Sequence, residues 1–346
     1  MPTSSAHDSA ALALAAARPG SSDTRMGDAW AYMLIAGGGF FLWWICTQHP
    51  TALPSWAPWE FSPSWYAAAS LAAYWYCRGL ARTSIELRPT RWHQLAYFAG
   101  IVLLYIVLQT RFDYLAQHMF FLNRVQHIIM HHIGPALIAL AWPGAVLRRG
   151  MPASLRRLAE SNPIARITRW VQQPLLAAVL FVGLIALWLY PPVHFRAMID
   201  ARLYAVMNWS MVVDGILFWC LILDPRPTRV ARVSIATRAV LAAGVMYPQI
   251  AIGLSITFIH HDLYPFYALC GRAFSSFPPP LDQALGGIIV WVAGSMMSVL
   301  AFVYVLYLHG TGRSSCSNEL CVAAARNQRN LPGGALDPIE DTYGWM

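Results

Sequence analysis

The chain contains no lysine: its 24 permanently basic residues are all arginine, set against 16 acidic residues, and only 12% of 346 residues are charged. A soluble domain carries about 25% charged residues, so this scarcity argues against an ordinary water-facing surface. Cysteine is thin as well, with six residues and no regular spacing, which excludes the disulfide framework of a small secreted domain. Cys316 and Cys321, in CSNELC, read as free thiols in a reducing compartment, whereas a Cys46–Cys270 pair stays open. There is no glycine-rich phosphate loop and no nucleophile–base set, so no enzymatic chemistry is indicated. The first residues lack a basic start and a convincing apolar core. Residues 1–27 therefore read as a disordered cytoplasmic tail and 311–346 as a polar cytoplasmic tail.

What the chain does have is grease. Hydrophobic residues make up 57%, and apolar runs of the ~20 residues that span a bilayer recur along 28–310. The runs fall at roughly 29–47, 63–80, 93–110, 124–146, 171–190, 203–223, 238–260 and 283–308. The expectation is an all-α polytopic transmembrane bundle of about seven to eight helices.

The arginines crowd into alternate loops. Arg82, Arg88 and Arg91 follow the second run, Arg148 to Arg169 the fourth, and Arg226 to Arg238 the sixth, while the intervening loops hold few. Under the positive-inside rule this puts both termini in the cytoplasm and the chain in an inner membrane, among membrane lipid. Scattered topological anchors are not a nucleic-acid patch, so no nucleic-acid partner is expected.

Against this background one stretch stands out. QHMFFLNRVQHIIMHHIGP, residues 117–135, carries four of the eleven histidines. Arg124 is costly in mid-membrane and marks the outer mouth of the fourth helix. At ~1.5 Å per residue His127 lies ~5 Å and His131 ~10 Å below it. Four residues apart, the two share a helix face and can grip one ion; His132 points to a neighbouring face. His118 joins them only if the chain turns. Pro135 cannot bond the carbonyl of His131, which leaves that carbonyl open beside a kink.

Imidazole with the sulfur of Met119 and Met130 favours Cu(I) over hard cations. The plain alternative is histidines that only hydrogen-bond between helices. His260 and His261 end the seventh helix on the same outer side, with His194 in the loop before the sixth. Asp214 sits near mid-bilayer, where a carboxylate takes a functional or paired role, with a histidine of the fourth helix or Asn208 as partner; Asp282 opens the eighth helix as a further candidate. Haem is not expected: His118 and His131 are thirteen apart, but no second pair at that spacing exists. A methionine path through Met246, Met296 and Met297 is conceivable, though methionine is common core filler.

The run Q-H-x-x-x-H-H-x-G-P at 126–135, SMVVDGILFW at 210–219, and LYPFY…CGRAF…DQALGGIIVWVAGSMM at 263–297 together resemble the multi-pass CtaG family of cytochrome c oxidase assembly proteins. The resemblance runs from the first helix to the eighth. It implies a plasma-membrane bundle that helps mature haem–copper oxidases through copper supply, with oxidase subunits and a periplasmic copper chaperone as partners. The family's His-Met-x-x-His start of the fourth helix ends here on His127, with Asn123 and Arg124 at its first two positions. Tyr204 and Asn208 stand where the family often has histidine. His127 and His131 are then the leading ligands. His118 and Met119 capture the ion, and Met130, His132, His260 and His261 are further candidates. A copper transporter and a metal-free scaffold remain the alternatives.

Overall fold

The computed structural model describes residues 21–49, 53–54, 57–58, 60–226, 231 and 233–310. Cys316, Cys321 and both expected tails lie outside the described residues, except that residues 21–27 of the first tail form the opening turns of the first helix. Every regular element among the described residues is helical. Ser21–Gln48 (α1) belongs to a separate compact unit ending at Leu53.

The second unit holds the rest. It runs Pro63–Ala81 (α2), Arg91–Gln109 (α3), Arg111–His118 (α4), Phe120–Ala141 (α5), Gly144–Gly150 (α6), Ala153–Ala159 (α7), Asn162–Val171 (α8) and Pro174–Leu189 (α9). Then come Pro191–Ile199 (α10), Ala201–Ile222 (α11), Ile235–Phe258 (α12), Phe266–Leu269 (α13) and Pro279–Leu308 (α14).

Eight of these helices occupy the eight apolar runs. Five are long and apolar enough to cross a membrane, and seven if each bent pair, α5 with α6 and α8 with α9, counts as one span. α2 falls short because tyrosine, tryptophan and Arg78 dilute its alanines and leucines. The fourth run is also divided differently from the expectation: its helix ends at Ala141, and the chain then bends by 78° into α6.

Local signals set the boundaries. Prolines open α2, α9, α10 and α14 in the first turn, where the missing N–H costs nothing. The Asp200 side chain caps α11 by accepting from the amides of Arg202 and Leu203. Met119, in extended conformation, separates α4 from α5. The chain therefore turns four residues before Asn123.

The solvent logic is inverted. Leu175, Val240 and Leu300 are each more than 60% exposed, whereas Asn123, Arg124, Gln126, His127, His131 and His132 are buried. An outward face of aliphatics around a polar interior is what lipid as solvent demands. α5 is the axis of this arrangement. Its first half packs on α14, and its second half packs on α3 and α11. α2 and α6 meet so closely that a β-carbon at Gly150 would lie 1.7 Å from the Trp75 carbonyl oxygen, and one at Gly79 2.0 Å from that of Val146. Only glycine permits such backbone contact.

Candidate functional site

Pro135 shapes the middle of α5. Without an N–H it cannot bond the carbonyl of His131, and the helix widens into a π turn over Ile129–Ile133. That turn carries Met130, His131 and His132, all buried. The carbonyl freed at His131 is not left open: the Trp219 indole donates to it at 3.0 Å from α11. Gly215, one turn earlier on α11, makes room, since a β-carbon there would sit 2.5 Å from the same oxygen.

Each histidine of the π turn is anchored on one side only. His131 Nε2 lies 3.0 Å from Asp214 Oδ2, and His132 Nε2 lies 3.1 Å from Gln249 Oε1. With Asp214 ionised and the Gln249 oxygen turned to the ring, both accept and the proton sits on Nε2. The lone pair is then on Nδ1, and in both residues Nδ1 is buried without a hydrogen-bond partner. His131 also stacks on Phe181 at 4.1 Å, which fixes its ring plane. A turn above, both ring nitrogens of His127 are buried and unpartnered. Arg124, higher still, bonds the Asn123 side-chain oxygen and lies 5.1 Å over the Phe120 ring.

The other expected residues are placed elsewhere. His118 bonds the carbonyl of Tyr114 in its own helix at 2.7 Å and lies against that ring. Met119 is fully buried at the α4–α5 break. His260 and His261 are exposed beyond the end of α12. Asn208 is buried with its Oδ1 unpartnered. Asp282 accepts from the amides of Phe120 and Phe121 at 3.1 and 2.8 Å and pairs with Arg272, so it closes the open end of α5. Met296 is 53% exposed and does not line the bundle interior. Cys270 is an exposed free thiol rather than half of a disulfide. Among the described residues no three His, Cys, Asp or Glu side chains converge tightly enough to hold a metal ion.

Three participants escape a reading by sequence alone. Gln249 gave a usable signal, an amide inside the apolar run MYPQIAIGL. Trp219 gave none, because its role depends on how α11 packs against α5. The third is Asp113, which accepts from Tyr204 at 2.7 Å, Gln126 at 2.6 Å and Gln117 at 3.1 Å. Burial raises its carboxyl to about 6 despite these bonds, with Glu60 adding to the rise. His194, buried in α10 and held between the Trp188 carbonyl and the Tyr267 hydroxyl, is lowered to about 3 by burial and by the Arg124 charge. It is neutral at physiological pH.

What this arrangement offers chemically is a row of neutral imidazoles within the bundle, two of them held by fixed acceptors. No curated protein and no solved structure matches the chain. The family described as cytochrome c oxidase caa3 assembly factor, Caa3_CtaG, matches residues 72–309 and so takes in every side chain of that row with its partners. The chain belongs to this family of oxidase assembly factors.

Proposed function

We propose that the protein handles Cu(I) for the oxidase within a bacterial inner membrane, taking the ion at the outer leaflet and passing it to an oxidase subunit. The observation that carries this reading is the bare Nδ1 of His131 and of His132, each opposite an Nε2 held by a fixed acceptor. Histidines that ligate metals almost always donate their other N–H to a carboxylate, carbonyl or water, which sets the tautomer and the ring orientation.

His131, His132 and His127 would supply neutral nitrogen donors, and a soft monovalent ion suits them with Met130 in the same turn. Asp214 offsets part of the incoming charge. Arg124, within electrostatic reach of His127, opposes it, which fits a carrier that must release its cargo. No bond in a substrate is made or broken, so the proposed role is that of a metallochaperone rather than an enzyme. Oxidase subunits are the recipients, and a periplasmic copper chaperone is the donor that such a site requires.

The test is anaerobic Cu(I) loading of the detergent-purified protein beside a His131→Ala, His132→Ala variant, with oxidase activity and protein abundance followed in cells. Near-stoichiometric copper in the parent and its loss in the variant are expected, with oxidase activity falling at unchanged abundance. Equal copper in both proteins overturns the assignment.

A second reading, a scaffold that binds oxidase subunits and no metal, is favoured by the lack of a convergent three-residue ligand group among the described residues. It predicts that co-purification with an oxidase subunit survives removal of His127, His131 and His132 while no copper is ever retained.

A further inference from the structure

At the other end of α5, away from the histidines, the chain adopts a backbone conformation that needs explanation. Trp142 has φ 46°, the only positive φ at a non-glycine among the described residues. A bulky residue in the left-handed region is held there only by its surroundings, and such positions cluster at functional sites. Trp142 is the hinge of the 78° bend that lays α6 across the end of α2.

The bend opens a cavity of about 370 Å³ between α6, the start of α3 and Pro225. Its wall has two kinds of surface. Leu87, Ala141, Trp142 and Val146 are apolar, while Arg88, Arg149, Thr90 and His93 are polar.

One residue, Thr83, bonds both arginines. Arg88 Nε donates to the Thr83 carbonyl at 3.0 Å, and Arg149 Nη1 donates to the Thr83 hydroxyl at 3.2 Å. Thr83 itself is buried and bonded to the carbonyl of Gly79 at 2.8 Å. Two like charges are thus brought together beside one cavity. Arg226 nearby, 5.2 Å over the Trp142 ring, is already matched by Asp224 through a 2.7 Å contact. Thr90 and His93 bond each other at 2.6 Å and extend the polar rim. Arg88 uses only Nε on Thr83, which leaves its planar pair of amino groups for a two-point contact with an anion.

We propose that this cavity binds the phosphate of an anionic phospholipid, with Arg88 and Arg149 on the headgroup and the Trp142–Val146 wall against the glycerol and upper acyl chain. The apolar wall distinguishes a lipid from a free phosphate, which would gain nothing from it. The setting agrees, because basic pockets between membrane helices on the arginine-rich side are where anionic headgroups bind. Leu87 in the cavity wall and Trp92, next to His93 in the chain, are exposed, as expected at the level of headgroups.

Native mass spectrometry of the full-length protein tests this, with phosphatidylglycerol against phosphatidylcholine of the same acyl chains. The parent should retain phosphatidylglycerol preferentially. An Arg88→Gln, Arg149→Gln variant should lose about fivefold in retention per guanidinium removed, and Arg88→Gln alone, at an exposed position, should show the single step.

Arg166→Gln with Arg169→Gln, on α8, should leave retention unchanged. Equal loss from the α8 variant would mean general attraction to a basic surface and would overturn the site. Millimolar inorganic phosphate that displaces the lipid fully would overturn the lipid assignment in favour of a free anion. No preference for phosphatidylglycerol in the parent would overturn both.

Discussion

The indole of Trp219 donates its N–H to the carbonyl of His131 at 3.0 Å, replacing the backbone bond that Pro135 removes. Two helices are joined there through the one carbonyl in the α5 π turn that the proline deprives of its partner. Trp219→Phe should leave that oxygen buried and unpaired, at a cost of about 1–3 kcal/mol. Thermal melting in detergent should show the loss. Trp291→Phe is the control, since its indole nitrogen has no partner and its removal should shift the midpoint much less.

Gly215 lies against the same oxygen. Gly215→Ala must push α11 away from α5, because the new carbon would meet the His131 carbonyl at 2.5 Å. A destabilisation of about 1–3 kcal/mol is expected. Gly183→Ala, in α9 with nothing within 4 Å, should be neutral or slightly stabilising, and equal melting of the two variants would contradict this packing.

The Asp282–Arg272 pair closes the entrance of α5. Asp282→Ala strands two amides and a guanidinium that is mostly buried, and should cost about 3 kcal/mol or more. Adding Arg272→Ala should restore part of the loss. A double variant less stable than Asp282→Ala would show that the two do not act as a pair.

Asp113 gives the protein a pH signature. Its carboxyl is raised to about 6 from 3.8, so the folded state holds this proton more tightly than the unfolded chain does. The associated stability is fully present below about pH 4 and is lost as pH climbs to about 6, with a limit of roughly 3 kcal/mol. Asp113→Asn removes the titration while keeping one acceptor oxygen for Tyr204 and Gln126. It should match the parent near pH 4 and exceed it above pH 6. His194 acts in the opposite sense, losing stability as pH falls from 6.5 toward 3, and cancels in the difference between the two proteins.

If copper binds as proposed, Asp214 acts through His131. Asp214→Leu should weaken Cu(I) retention by about 10–100-fold, as loss of a partner behind a ligand does, whereas Asp214→Asn should retain more. Competition with a Cu(I) chelator of known affinity measures both. Identical affinities for parent and Asp214→Leu would remove His131 from the ligand set.

Much of this was legible in the residues themselves. Each of the eight apolar runs holds a helix, and five of these, or seven with the bent pairs, are long and apolar enough to span a bilayer. That Pro135 frees the His131 carbonyl from its helical bond was legible, though not the Trp219 indole that takes it up, and a carboxylate alone in an apolar helix implied a partner for Asp214.

The rest depends on contacts distant in the chain. Nothing in the local pattern told that Gln249, Trp219 and Asp282 would meet α5, since each contact depends on helix rotation rather than helix identity. By spacing His118 lies too far from His127 to share an ion unless the chain turns, and the chain does turn at Met119. The turn starts a new helix, and His118 stays bonded to Tyr114 in the preceding one.

The bare backbone contact between α2 and α6 makes α6 a crossbar. Lying nearly at right angles to α5 and locked at Gly79 and Gly150, it acts as a depth gauge: α5 can neither sink nor rise without prising two main chains apart. The level at which His127, His131 and His132 sit in the bilayer is thus governed from the far end of the same helix. An insertion in the Trp142–Pro143 corner would be expected to move that level while leaving every imidazole in place along its own strand of chain.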